Sequence, residues 1–291
     1  MMKRILPILL IAALLTLCCG CAQQPSSQIA ATTLPVYEFT QRLCEHTDLT
    51  VTRLVTESVS CLHDYSLNVR QVRAAEAAEL IVISGAGLEE FMEDLLRNKN
   101  VVDSSSGIEL LECDDQHDHG DHHHHHDVDN HIWLSPENAR TMATNICAGL
   151  AAQYPEYAAT FQANLSELLQ QIDDLQSYGE NQLTDLSCRE LITFHDGFSY
   201  LADSFELTIL EAVEEESGSE ASASELKHLI EEVKHHNLPA IFTEVNGSDS
   251  AASVIARETG IPCYQLDMAM GGESWFDAMY HNINTLKEAL K

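Results

Sequence analysis

Positive charge is scarce in this chain. Lys and Arg number 15 against 46 Asp and Glu, a formal net charge of −31. Such a surface repels phosphate backbones, so nucleic acid is excluded as a partner, and it raises the local concentration of cations. Long apolar runs are also scarce. Residues 5–17 form one unbroken run of thirteen, short of the ~20 needed to cross a bilayer as a helix, and no later run is long enough. The six cysteines beyond residue 21 (Cys44, Cys61, Cys113, Cys147, Cys188 and Cys263) contain no Cys-x-x-Cys element. A cysteine zinc knuckle is therefore not expected, and most of these thiols read as small buried hydrophobes. His-Glu-x-x-His, the signature of a helix-borne zinc protease site, is absent as well.

Histidine is plentiful, and it is concentrated. Seven histidines, His117, His119, His122, His123, His124, His125 and His126, stand among Asp114, Asp115, Asp118, Asp121, Asp127 and Asp129. Neutral imidazoles are the commonest protein ligands for borderline transition metals, and carboxylates add charge and oxygen donors. Such a run cannot build a packed core, so it reads as a solvated loop that collects cations weakly. His131 stands apart from it, directly before Ile132-Trp133-Leu134.

The N-terminal residues point to export. Lys3 and Arg4 precede the apolar run, which has the length of a signal-peptide core. Cys18-Cys-Gly-Cys21 and a polar stretch follow. This arrangement resembles the lipobox of bacterial lipoproteins, with Gly20 before the cleavage point and Cys21 acylated; Cys18 occupies the place where leucine is usual. The expected organisation is a signal peptide with lipobox over 1–21, a tether over 22–28, and about 270 mature residues, enough for two domains.

Beyond the tether, strand and helix patterns alternate. Strands are expected at 29–33, 49–55, 80–84 and 108–111, with helices at 35–44, 66–78 and 88–96. In the second of these helices Ser66 is the expected cap, with Val69, Val72, Ala75 and Ala78 on the apolar face. This half, 29–134, reads as βα units on a parallel sheet and includes the His-rich loop 114–129. Ser135-Pro-Glu-Asn is a good helix start. Two helices, the second carrying Phe161, Leu165, Leu168, Leu169, Ile172 and Leu175 on one face, fill 135–184 without a strand and read as a connection. The βα rhythm resumes over 185–291, with strands at 190–194, 207–213, 240–244 and 263–266 and a closing helix from Ser274.

Candidate ligands follow from this order. His195 and Asp267 lie just beyond strand ends, and His63 and His131 lie in loops that follow strands. The carboxyl edge of an open α/β sheet is where ligands bind. Two such edges facing each other would gather three imidazoles and one carboxylate, a tetrahedral set suited to zinc. Glu244 sits at an equivalent strand end and is an alternative oxygen donor. Asp196 could orient His195 or cap a helix, and Met268 and Met270 read as packing residues before soft ligands. His46, His228, His235, His236 and His281 read as solvated.

Leu62-His-Asp-Tyr, Asn130-His-Ile-Trp-Leu-Ser-Pro136 and Thr193-Phe-His-Asp-Gly-Phe198 resemble the three histidine motifs of the zinc-binding solute-binding proteins of metal ABC transporters, the cluster A-I metal-binding family. The resemblance covers roughly residues 28–291. It implies an α/β fold of two lobes with four-stranded parallel sheets, joined by a long rigid backbone helix, with the metal between the lobes. It implies His63, His131 and His195 as ligands, and matches Asp267 to a carboxylate that completes the shell. One departure is local: the usual Asp-Pro-His-x-Tyr-Glu-Pro is here Cys61-Leu-His-Asp-Tyr-Ser-Leu67, which brings Cys61 near as a candidate thiolate. Manganese members carry a carboxylate where His195 stands, and imidazole suits zinc better.

The expected function is capture of Zn2+ by a monomer, lipid-anchored to the outer face of the cytoplasmic membrane, and delivery to an ABC permease, with no bond broken. The competing readings are a zinc-dependent hydrolase, a manganese-specific receptor, and a metal-buffering or adhesive surface lipoprotein. A hydrolase needs an open coordination position and a base, for which Glu244 is the one candidate.

Overall fold

The computed structural model describes residues 28–57, 62, 65–112, 128–213, 221–245 and 247–291. Two four-stranded parallel sheets carry the fold. The first runs through β1 (Ile29–Ala31), α1 (Leu34–Leu43), β2 (Val51–Arg53), α2 (Val69–Ala77), β3 (Leu80–Ile83), the short α3 (Glu93–Leu96) and β4 (Val101–Asp103). Its spatial order is β2-β1-β3-β4. Two helices follow, α4 (Pro136–Gln153) and the 25-residue α5 (Ala158–Gln182). The second sheet repeats the plan: β5 (Glu190–Thr193), α6 (Ser199–Ser204), β6 (Thr208–Ala212), α7 (Ala223–His236), β7 (Ile241–Glu244), α8 (Ser250–Thr259) and β8 (Cys263–Leu266), in the order β6-β5-β7-β8. The closing helix α9 spans Trp275–Leu290.

In each sheet the first strand has its successors on opposite sides. Successive connections therefore leave in opposite directions between β1 and β3, and again between β5 and β7, and a crevice opens at the carboxyl ends there. Strand residues alternate between layers, as the two-residue period requires. Ile29, Ala31, Leu80 and Val82 face a core shared with α4, α5 and α9, whereas Ala30 and Ile81 face a smaller cluster under α2. Leu191 and Phe242 join the shared core, and Ile192 and Ile241 pack with α7 and α8 on the other face. The shared core thus touches both sheets.

Polar contacts tie the two halves together. Glu38 of α1 accepts the Trp275 N–H at 2.5 Å at the start of α9 and lies against Arg42 at 2.7 Å. A carboxylate there meets the positive end of the helix dipole. Phe39 packs edge-on to Trp275 with centroids 5.1 Å apart. Arg53, at the end of β2, donates to the carbonyls of Met270 and Gly272 at 2.7 and 2.8 Å.

Three local expectations are corrected. The fourth strand of the first sheet is Val101–Asp103, paired with β3, and not 108–111. Ile108, Leu110 and Leu111 pack against the core without a ladder, and only Glu112 forms an antiparallel bridge, to Val128. Helix α2 is capped by Asn68, not Ser66, in a reciprocal box with Gln71. That start turns Gln71 and Ala75 inward and leaves Val69 67% exposed. Residues 88–96 form a 3-10 turn (Glu90–Met92) and the single turn of α3. Ser135 caps α4 as expected, accepting the Asn138 N–H. No helix among the described residues is long and apolar enough to cross a membrane.

Candidate metal centre

Residue His195 follows β5 by two positions, and Glu244 is the last residue of β7, so both stand at the crevice of the second sheet. Thr193, wholly buried, donates its hydroxyl to the His195 carbonyl at 3.1 Å and fixes the backbone there. The Glu244 carboxylate lies 3.8 Å from His195 Nδ1.

Residue His131 arrives from the other direction. Ile132, Trp133 and Leu134 form a 3-10 turn with no exposed side-chain surface, and this burial anchors the segment before Ser135 starts α4. The Trp133 indole donates to the Met268 carbonyl at 2.8 Å, and the Trp275 indole donates to the Trp133 carbonyl at 2.9 Å. His131 therefore stands against the 267–270 loop of the second half. Its ring meets that of His195 edge-on, with centroids 5.4 Å apart and planes at 87°.

Local chemistry sets which way the His131 ring faces. One oxygen of Asp129, Oδ1, accepts both the His131 backbone N–H and the ring Nδ1–H, each at 2.8 Å. A proton held on Nδ1 leaves Nε2 as the ligating atom, the arrangement common to metal-bound histidines. Both residues are buried, and the second oxygen of Asp129, also buried, has no hydrogen-bond partner among the described residues. Two buried carboxylates beside two imidazoles make a site that a cation would stabilise.

Gly197 makes the approach of the two rings possible. A Cβ there would lie 2.6 Å from Met268 Cε, 2.9 Å from His195 Cδ2 and 3.0 Å from His131 Cε1. The absent methyl group is the space these three side chains share. Met268 is buried and forms the apolar side of that shared space.

Of the four ligands expected in the tight site, the structure brings His131 and His195 together. His63 and Cys61 lie outside the described residues, as do Cys21 and the loop histidines His117, His119, His122, His123, His124, His125 and His126. Asp267 makes local bonds: its Oδ1 accepts the Ala269 N–H at 2.7 Å, and its backbone pairs on both sides with the Asn282 amide at 2.7 Å. Glu244 is the carboxylate beside His195. Among the described residues no group of three or more His, Cys, Asp or Glu is arranged to hold a metal. His228 and His236 pair instead with Glu211 and Glu190 at 3.2 and 2.9 Å, and His281 reaches the Gln265 carbonyl.

Sequence reasoning counted Asp129 only among the loop carboxylates. The pattern Asp-x-His was the available signal, because Asp readily bonds backbone two residues on. Cys44, Cys147, Cys188 and Cys263 are free thiols. Burial pushes Cys44 up to about 12, and raises Cys147 and Cys263, which disfavours the thiolate form that ligation needs.

Known proteins share this fold. The crystal structure of ZnuA superposes with a TM-score of 0.78 at 27% identity, covering 90% of this chain and 99% of that one. The metal-dependent lipoprotein YcdH from Bacillus subtilis gives 0.76 at 26% identity, covering 90% and 98%. The zinc-binding lipoprotein AdcA of Streptococcus pneumoniae is 27% identical over 297 residues, 96% of this chain and 59% of the relative. This chain thus spans about three fifths of the length of the streptococcal proteins it matches. The sequence profile described as zinc-uptake complex component A, periplasmic, matches residues 29–289, and the chain belongs to that family.

Proposed function

We propose that this protein captures Zn2+ outside the cytoplasm and delivers it to an ABC permease. The observation that carries the reading is the meeting of His131 and His195, delivered by separate parallel-sheet units to one buried cleft. Family membership and the zinc-binding names of the relatives support the same cargo. In this reading His63, which follows β2 in the chain, supplies the third imidazole. A carboxylate completes the shell: Asp267, with Glu244 orienting His195, or Glu244 itself. Nothing in the cleft need break a bond; ligands that fill the coordination shell suit holding an ion, whereas hydrolysis needs an open position.

The His/Asp segment 114–127 serves to collect zinc weakly before the tight site takes it. Cys21 carries the lipid that keeps the receptor at the outer face of the membrane, within reach of its permease, and the receptor acts as a monomer.

Zinc titration with metal analysis tests the proposal. One tight zinc per chain, lost in His131→Ala, supports it. Deleting residues 114–127 should remove only weak sites; loss of the tight site with that deletion would refute the division between loop and cleft. Hydrolytic turnover by the zinc-loaded chain would favour the enzyme reading.

A further inference from the structure

Tyr200 belongs to α6, on the second sheet, yet its hydroxyl is committed to the chain coming from the first. It accepts the Leu111 N–H at 2.9 Å and donates to the Asp129 carbonyl at 3.0 Å. Those two residues are bonded to each other, Asp129 N–H to Leu111 C=O at 2.8 Å, and the next pair outward, Glu112 and Val128, forms the antiparallel bridge. One buried phenol oxygen therefore satisfies a donor on one side of this neck and an acceptor on the other.

The neck matters because of what Asp129 does next. The peptide whose carbonyl Tyr200 holds belongs to the residue whose carboxylate holds the His131 ring and backbone N–H. A shift of the Asp129 backbone would carry that carboxylate with it, and the imidazole would lose its orientation. Helix α6 also packs on the Ile132–Leu134 turn, so the phenol and the turn grip His131 from both sides in sequence. Buried backbone groups that lose a partner are costly, which makes this contact hard to replace by slippage.

We propose that Tyr200 is a positioning residue that sets His131 from the opposite half of the molecule. The His131 imidazole is then correctly presented only while α6 and the neck are in contact, and separating them loosens His131 first. The proposal rests on the reading that the ion sits between His131 and His195. Its effect falls on metal release. Loss of an outer partner of a ligating histidine typically costs 10–100-fold in affinity, and for a group one step further out the expected effect is about tenfold faster zinc dissociation.

Tyr200→Phe in the full chain removes only the hydroxyl and keeps the ring packing. Tyr178→Phe is the control, since its phenol bonds Asn284 at 2.7 Å between α5 and α9, with no contact to the neck. Three quantities are compared: zinc dissociation into excess chelator, the visible absorption of the Co2+-substituted protein, and the stability of the metal-free chain. The proposal expects about tenfold faster release and an altered Co2+ spectrum in Tyr200→Phe, with the Tyr178→Phe protein behaving as the parent. Equal release rates and unchanged Co2+ spectra in the two variants would overturn it, whatever happens to stability, while leaving the receptor reading intact. Failure of the parent chain to bind zinc tightly would overturn both.

Discussion

Replacing Asp129 by alanine removes a single acceptor from two donors at once. The His131 backbone N–H and ring Nδ1–H each lie 2.8 Å from the same carboxylate oxygen, and both residues are at least nine-tenths buried. A buried donor left without a partner costs ~1–3 kcal/mol, so the metal-free variant should lose roughly 2–6 kcal/mol of stability. Metal binding suffers separately, because the ring can then exchange tautomers and turn. Losing the partner that orients a ligating histidine typically costs 10–100-fold in affinity, about 1.4–2.8 kcal/mol. Asparagine retains one oxygen acceptor without the charge and should fall between the parent and alanine. Urea unfolding in the presence of a chelator gives the first quantity, and competition against a chromophoric zinc chelator gives the second. A folded Asp129→Ala protein that binds zinc within threefold of the parent would refute the reasoning.

Glu38→Ala leaves the Trp275 N–H unpartnered at the start of α9 and breaks the pair with Arg42; a charge-assisted bond of this kind is worth about 3 kcal/mol at most. A drop in Tm of up to roughly 6–12 °C is expected for a chain of this size, and an unchanged Tm would show that the contact between halves contributes little. Glu89 is fully buried, and desolvation pushes its carboxyl up to about 7 despite donors from Thr32, Ser84 and Gly85. Because the folded value lies above the ordinary one of 4.5, its protonated form supports folding fully below that pH, and the support fades as pH rises through 7. Metal-free parent minus Glu89→Gln stability should therefore fall by about 3 kcal/mol between pH 4.5 and 8; a flat difference counts against it. Gly197→Ala should weaken zinc binding by about tenfold, since its methyl would press on Met268, His195 and His131. Unaltered affinity would mean the cleft has slack.

Much of the architecture was legible in the chain. Helix punctuation is local, so Ser135-Pro136 and Ser274 located the starts of α4 and α9. The carboxyl-edge rule grouped His195 with His131, although the strand at 108–111 that placed His131 there is absent and His131 instead enters through the buried turn Ile132–Leu134. Contacts settled by packing were not legible. The apolar residues 108–111 look like a strand in isolation, but Val101–Asp103 takes the place beside β3. Asn68 wins the cap of α2 because Gln71 can answer it and also reach the Leu54 carbonyl. The partnership of Glu244 with His195 depends on how β5 and β7 lie side by side, and Tyr200 is separated from Asp129 by 71 positions. No local pattern carries such pairings.

Zinc K-edge X-ray absorption on the protein loaded with one equivalent addresses the central claim most directly. The account predicts imidazole ligands at ~2.0–2.1 Å, with one imidazole lost in His131→Ala and one in His195→Ala. A zinc shell identical in the parent and both variants would contradict it.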